Sequence, residues 1–367
     1  MFSASDIGTR VEPMLMDYWF KVRGVQAVPS QIVIVAIDEH SYQSLNVSTL
    51  EILPRKLQAE LLRKLADYKV RGVMFDLVFR SASPDPAGDH QFAEALKLVP
   101  TYLGRYVKID QRVGLSGKNE VREEPSDPLA LFRENARGTV LLNLRLDDRI
   151  VRRFLIGLSD DPTVTPMAHV VVEHPEQSAL PNAEDFIDFY GPAGTIPTVS
   201  MSDLLNDDAR TMAPLLEGRY VFIGTQMMTQ TGLIDKDTFL TPYSGAPFFG
   251  VEIHATAAGN ILEHRWIRRL SPAVEMLILN LTALLLSFGL TWLRPRAALG
   301  VFCSAVLAWS CLSYSMFRYG VFLPGLWLVA VTLPLAFVVS TLYYYFVLQR
   351  SYREIESALG VELKVRE

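Results

Sequence analysis

Cysteine is nearly missing from this chain of 367 residues: Cys303 and Cys311 are the two it has. Both lie inside one apolar run, so no disulfide framework holds the N-terminal part. Positive charge is scarce as well. Lys plus Arg number 35 against 40 Asp plus Glu, a formal net charge of −5, and no basic stripe offers itself to phosphates, which argues against a nucleic-acid partner. The familiar catalytic signatures are also wanting. There is no GxSxG elbow, GxGxxG fingerprint, CxxC pair or cyclase-like pair of metal aspartates. His169 and His174 are five apart rather than four and lack the glutamate of a zinc-protease helix, while GLSGK at 114–118 has Arg112 and Asn119 where a P-loop needs Gly and Ser or Thr.

Charge of either sign is missing from three stretches, 276–293, 297–317 and 321–348, uncharged apolar runs of 18, 21 and 28 residues. Each is long enough to cross about 30 Å of hydrocarbon at about 1.5 Å per residue, and none leaves a polar face for water. We expect three transmembrane helices. The region up to Ser271 carries −7 and the remainder +2, so the chain divides into an acidic globular part of residues 1–271, a membrane part of 272–348 and a tail of 349–367.

The positive-inside rule gives a small bias. Arg294, Arg296, Arg350, Arg353, Lys364 and Arg366 fall on one side of the membrane, and Arg265, Arg268, Arg269 and Arg318 on the other, which favours the globular part outside. Tyr343, Tyr344 and Tyr345 lie where an aromatic belt would mark the inner surface, and Pro334 is expected to kink the third helix. Against export, residues 1–23 hold neither a signal nor a membrane helix, because Arg10, Glu12, Asp17, Lys21 and Arg23 interrupt every apolar stretch. Either residues are missing or the globular part stays inside.

The globular part is α/β in pattern, with a mainly parallel sheet. QIVIVAI (31–37) reads as a strand buried on both faces and ends at Asp38; leucines 57, 61, 62 and 65 recur at helical spacing; VMFDLVF (73–79) is a second buried strand carrying Asp76. Strand, helix, strand is a parallel crossover unit. A helix is expected over 92–98, strands over 101–107, 139–144, 185–189 and 220–224, an exposed loop over 112–128, and a helix over 251–262. Beyond Leu348, Tyr352, Ile355 and Leu359 follow the 4-3-4 step of a short coiled-coil seam, which points to a homodimer. Val361, Leu363 and Val365 then alternate with charges, either as a frayed tail or as the first strand of something further on.

The motifs PMLMDYWFKVRG (13–24), IVIVAIDEHSYQSL (32–45), RGVMFDLVF (71–79), GDHQFAEAL (88–96), YGPAGTIPTVSMSDLL (190–205), GRYVFIGT (218–225), LIDKDTFLTP (233–242) and FGVEIHATAAGNIL (249–262) occur in this order before the apolar runs. Together the chain resembles the second type of CHASE domain, the cyclase and histidine-kinase associated sensory extracellular module, over residues 11–348. The resemblance implies an extracytoplasmic α/β sensor, an inner-membrane multi-pass anchor and a cytoplasmic nucleotide cyclase or kinase output in the same or a separate chain. It also implies an N-terminal membrane helix before residue 13, which this sequence does not display. Leu53, Pro54 and Arg55 stand where that family often has a WPR-like step.

Asp38 ends the first strand and Asp76 lies within the second, and if those strands are adjacent and parallel their carboxylates approach one crevice at the carboxyl ends of the sheet, where α/β folds bind ligands. With Asp89, Asp235, Asp237 and Thr241 they are the ligand-binding candidates, for a hydroxylated ligand or an oxygen-ligated divalent cation. The competing expectation is that these carboxylates cap helices and hold loops. Thr241-Pro242 is also ordinary turn chemistry, and His254 is expected to serve packing. Arg265, Trp266, Arg268 and Arg269 are expected to anchor at lipid headgroups. The first functional expectation is a receptor that relays a stimulus across the membrane without catalysis of its own. The alternative is a membrane-anchored, metal-dependent hydrolytic enzyme using Asp38 and Asp76 as ligands or acid–base pair; a scaffold subunit is the third.

Overall fold

The computed structural model describes residues 6–49, 51–113, 119–157, 165–172, 179–206, 209–228, 237–243, 245–246, 248–291, 293, 295–323 and 333–359. GLSGK, Asp235, His174 and the residues after 359 lie outside them. The chain forms two compact units, one of residues 20–266 and one of residues 1–19 with 267–367.

The larger unit begins with the end of helix α1 (Asp6–Arg23) and then β1 (Ile32–Ile37), α2 (Glu39–Ser44), α3 (Arg55–Asp67), β2 (Gly72–Asp76) and α4 (Pro86–Ala95). There follow β3 (Thr101–Val113), β4 (Asn119–Ser126), α5 (Ala130–Arg133), β5 (Gly138–Leu141), β6 (Arg145–Asp147), β7 (Ile150–Arg153) and β8 (Thr165–Pro166), the last leading into a 3-10 turn at Met167–Val171. β9 (Thr198–Ser200), α6 (Met201–Asn206), α7 (Ala209–Leu216), β10 (Tyr220–Thr225), β11 (Thr238–Phe239), β12 (Phe248–Phe249) and α8 (Gly250–Leu262) complete it.

The central sheet has the order β8-β5-β3-β2-β10-β1-β9, parallel throughout, with β4 added antiparallel to β3. The β-branched runs make β1 and β10 buried strands with no polar face, as a parallel sheet covered on both sides requires. On one face Val33, Val35, Ile37, Val73, Phe75, Val221 and Ile223 pack with α3, α4, α6 and α7 in one apolar core. Phe75, Phe79, Phe92 and Phe132 stack there edge-on and tilted, at centroid distances of 4.9–6.1 Å. On the other face lies α8, whose residues 250–261 are all buried. Gly224 permits its approach: a Cβ at that position would stand 2.6 Å from Cβ of Val251.

Several expectations change. β1 and β2 are not neighbours, because β10 lies between them in register Ala36↔Gly224↔Asp76. That separation is about 10 Å at the usual strand spacing. Part of the polar stretch 112–128 is strand rather than loop: β3 runs on to Val113 and pairs with β4 from Tyr106↔Ser126 to Val113↔Asn119. A two-stranded ribbon of this kind is held by its backbone ladder, so the apolar alternation by which strands are read was missing. Residues 185–189 do not join the central sheet, and only Phe186 bridges, to Arg153.

In the smaller unit, β13 (Arg268–Arg269) pairs with β14 (Val321–Phe322), and the helices are α9 (Pro272–Thr291), α10 (Pro295–Arg318), α11 (Leu333–Tyr343) and, after a π-helical turn at Tyr344–Leu348, α12 (Gln349–Leu359). The third apolar run therefore opens as a strand, since the Arg268 N–H donates to the Gly320 carbonyl and draws Val321 into a ladder. Pro334 is the second residue of the described part of α11. Trp19 packs its ring 5.0 Å from that of Tyr314, which is why the beginning of α1 groups with these helices rather than with the sheet. Among the described residues one helix, Arg296–Arg318, is long and apolar enough to cross a membrane, and Ala273–Leu286 is a shorter apolar helix.

Candidate functional site

The carboxyl ends of the parallel strands carry two separate polar clusters. The first is built on Asp38, which ends β1 and caps α2. Its Oδ1 accepts from the Ser41 N–H at 2.8 Å, the Ser41 hydroxyl at 2.6 Å and the Ser200 hydroxyl at 2.9 Å, and Ser200 lies 3.0 Å from Ser202. Each member answers another, as in an N-cap, so this cluster is explained by holding α2 and β9 to β1.

The second cluster lacks such answers. Asp76, the last residue of β2, has the parity of Met74 and so faces α8. It is buried, and its Oδ1 stands 3.9 Å from Nε2 of His254. Its Oδ2 has no hydrogen-bond partner among the described residues. His254 Nε2 lies 3.2 Å from the Leu142 carbonyl, which fixes that nitrogen as the donor. Burial pushes the imidazole down to about 4, so it is neutral at pH 7. Asp237, at the base of β11, adds a like charge: burial first, then the Asp237 carboxylate, hold Asp76 well above the usual carboxylate range. Burial raises Asp237 itself to about 6. A Cβ on Gly250 would meet the Asp237 carboxylate at 2.5 Å, so the bare glycine at the start of α8 gives that side chain its place. A buried carboxyl beside a neutral histidine and under the influence of a second carboxylate favours a hydrogen-bond donor or a cation next to it.

The other sequence candidates are placed elsewhere. Asp89 accepts from the Ser83 N–H at 2.8 Å and faces Arg55 at 3.7 Å, whose guanidinium lies over Phe79. Thr241 is buried with its hydroxyl unpaired among the described residues. Asp235 is outside them. No group of three His, Cys, Asp or Glu side chains among the described residues is arranged to hold a metal ion. Arg265 turns inward, Nε 2.6 Å from Oδ2 of Asp188, and Trp266 is buried; both were expected at lipid headgroups. Arg269 reaches Glu275 at 3.2 Å, and Arg268 lies in the β13–β14 ladder. Tyr343 and Tyr345 are exposed and Tyr344 half-buried.

Sequence reasoning missed a third cluster. Asp188 receives Arg23 Nη1 on Oδ1 at 2.5 Å and Arg265 Nε on Oδ2 at 2.6 Å, while Asn260 holds its backbone on both sides, at 2.8 and 3.0 Å. Arg23 also donates to the Phe189 carbonyl at 2.7 Å. The residues are 165 and 77 positions apart, and no local motif announces them.

A family model described as the CHASE2 domain matches residues 1–291. No curated protein and no solved structure matches the chain.

Proposed function

The chain belongs to the CHASE2 domain family, whose members are extracellular sensory modules of signalling proteins, and we propose from that premise that it is the sensing and membrane-anchoring part of a transmembrane receptor. The α/β unit is the extracytoplasmic sensor. The apolar runs 276–293, 297–317 and 321–348 each cross the inner membrane. The tail passes the signal to a nucleotide cyclase or kinase, in this chain's continuation or in a partner. Support for the membrane part comes from the exposed large apolar side chains Leu277, Leu284, Phe288, Leu307 and Phe346, which hydrocarbon would cover.

The observation that carries the sensing site is the buried, half-unpaired carboxyl of Asp76 beside Asp237 and His254. A ligand donating hydrogen bonds, or a proton, is the stimulus this pair is suited to read. Receptors shift only by differential affinity for two conformations, and we place the second conformation in a homodimer joined through Tyr352 and Ile355, both exposed on α12. The enzyme alternative loses its premise, because β10 keeps Asp38 and Asp76 about two strand spacings apart.

The test is topological. In cells expressing the full chain with Cys303 and Cys311 replaced by serine, Leu98→Cys should react with a membrane-impermeant maleimide and Ser357→Cys should not. The reverse pattern would overturn the extracytoplasmic placement.

A further inference from the structure

The unpaired carboxyl cluster and the Asp188 cluster are joined by one short stretch of chain. Asp237 stands at its beginning and Gly250 at its end, with the Gly250 N–H donating to the Asp237 carbonyl at 3.2 Å. β11 and β12 pair between them, Thr238↔Phe249 and Phe239↔Phe248. Beyond β11, the Tyr243 hydroxyl lies 3.1 Å from the Phe20 carbonyl in the last turn of α1 and 3.2 Å from the Gly24 carbonyl just after it. The rings agree with the hydrogen bonds: Tyr243 packs on Phe20 at 5.9 Å, Phe20 on Phe189 at 6.0 Å and Phe189 on Phe248 at 5.6 Å. In that same turn Arg23 is tied to Asp188, and Asp188 to Arg265, one residue before the unit ends.

We propose that the chain from Asp237 to Tyr243 is a mechanical relay, in which a change of charge or occupancy at the Asp76–Asp237 pair displaces the base of β11 and Tyr243 carries that displacement to Arg23, Asp188 and Arg265. Among the described residues, His254 of α8 faces Asp76, and its Nε2 donates to the Leu142 carbonyl. Arg23 and Arg265 are where the chain enters and leaves the α/β unit, so the relay ends on both connections at once. Asp188 is the shared acceptor that makes them move together. A contiguous route of this kind counts as coupling only when perturbing one end changes the other through the named link.

The proposal rests on the α/β unit being the sensing part, and its test reads coupling inside that unit alone, so a silent output domain and a broken relay give different results. Hydrogen exchange of the full chain in detergent, at one fixed pH, reports the amides of residues 20–26, among them Gly24 N–H to Phe20 and Gln26 N–H to Tyr190. Asp237→Asn should change their exchange by about fivefold, the scale of one hydrogen bond, and leave the α3 amides within roughly twofold. In a Tyr243→Phe background the same substitution should leave residues 20–26 within roughly twofold as well. An equal effect in both backgrounds, no effect in either, or an equal change in α3 would overturn the relay. Should Asp237→Asn fail to fold, Asp76→Asn carries the same comparison.

Discussion

Arg23 and Arg265 meet on one carboxylate: Oδ1 of Asp188 takes the first at 2.5 Å and Oδ2 the second at 2.6 Å. Arg23 and Asp188 side chains are each 6% exposed, so the pair is desolvated and its energy lies in what its removal leaves behind. Asp188→Asn takes the carboxylate away from the buried Arg23 guanidinium, and removing one partner of such a pair costs about 3–5 kcal/mol. Denaturant unfolding of the variant should show that loss. A cost under about 1 kcal/mol, as for a surface pair, would mean that Arg23 is solvated.

Gly224 and Val251 set a steric prediction. Gly224→Ala places a methyl 2.6 Å from Cβ of Val251, with α8 buried all round and unable to retreat freely. Overpacking of this kind costs about 1–3 kcal/mol, read from the denaturation midpoint; Gly157→Ala, which meets nothing within 4 Å, is the control expected to change little.

Asp38 and Asp76 separate by their substitutions. Asp38→Ala removes a helix cap and should cost about 0.5–2 kcal/mol. Asp76→Asn removes a carboxyl whose charged form the fold disfavours, and should be neutral or stabilising at pH 7, measured by thermal unfolding. The order reversed would put the charged form of Asp76 in the native state.

Stability against pH follows from two opposed shifts. Asp76 and Asp237 are raised in the folded state, Asp237 to about 6, so the native form holds more carboxyl protons than the unfolded one between pH 4 and 6 and this contribution falls as pH rises through that window. His254 is lowered to about 4, so the unfolded form binds more imidazole protons between pH 4 and 6.5 and this contribution rises with pH. Asp237→Asn should therefore make the net slope between pH 4 and 6 more positive, and His254→Gln more negative. Denaturation series at three pH values check both signs.

Ile355→Glu tests the proposed second copy. A charge in the seam with Tyr352 should convert a dimer into a monomer in detergent, by mass measurement. A wild-type monomer at working concentration removes the dimer from the proposal.

Those elements whose reason is local were legible in advance. β1, β2 and β10 are runs of β-branched and apolar residues buried on both faces, and α3 and α8 sit where leucine spacing and the VEIHATAAGNIL stretch put them. The order of the strands was not, because nothing in residues 31–79 tells that a strand 141 positions after Phe79 enters between them. The same non-locality hid Asp188, which lay in a stretch taken for a strand, and misdirected Arg265, whose neighbourhood to the apolar runs suggested lipid while its partner lay 77 residues away. Asp76 was found by position alone; what sets it apart from Asp38 is the lack of donors, which only three dimensions reveal.

The place of β10 also bears on when this fold can form. Its neighbours β1 and β2 are made early and β10 late, so an emerging chain holds two apolar strands with bare inner edges until residue 225 is available. Until then the α/β unit lacks its middle, and a chain in that condition is open to mispairing with another copy.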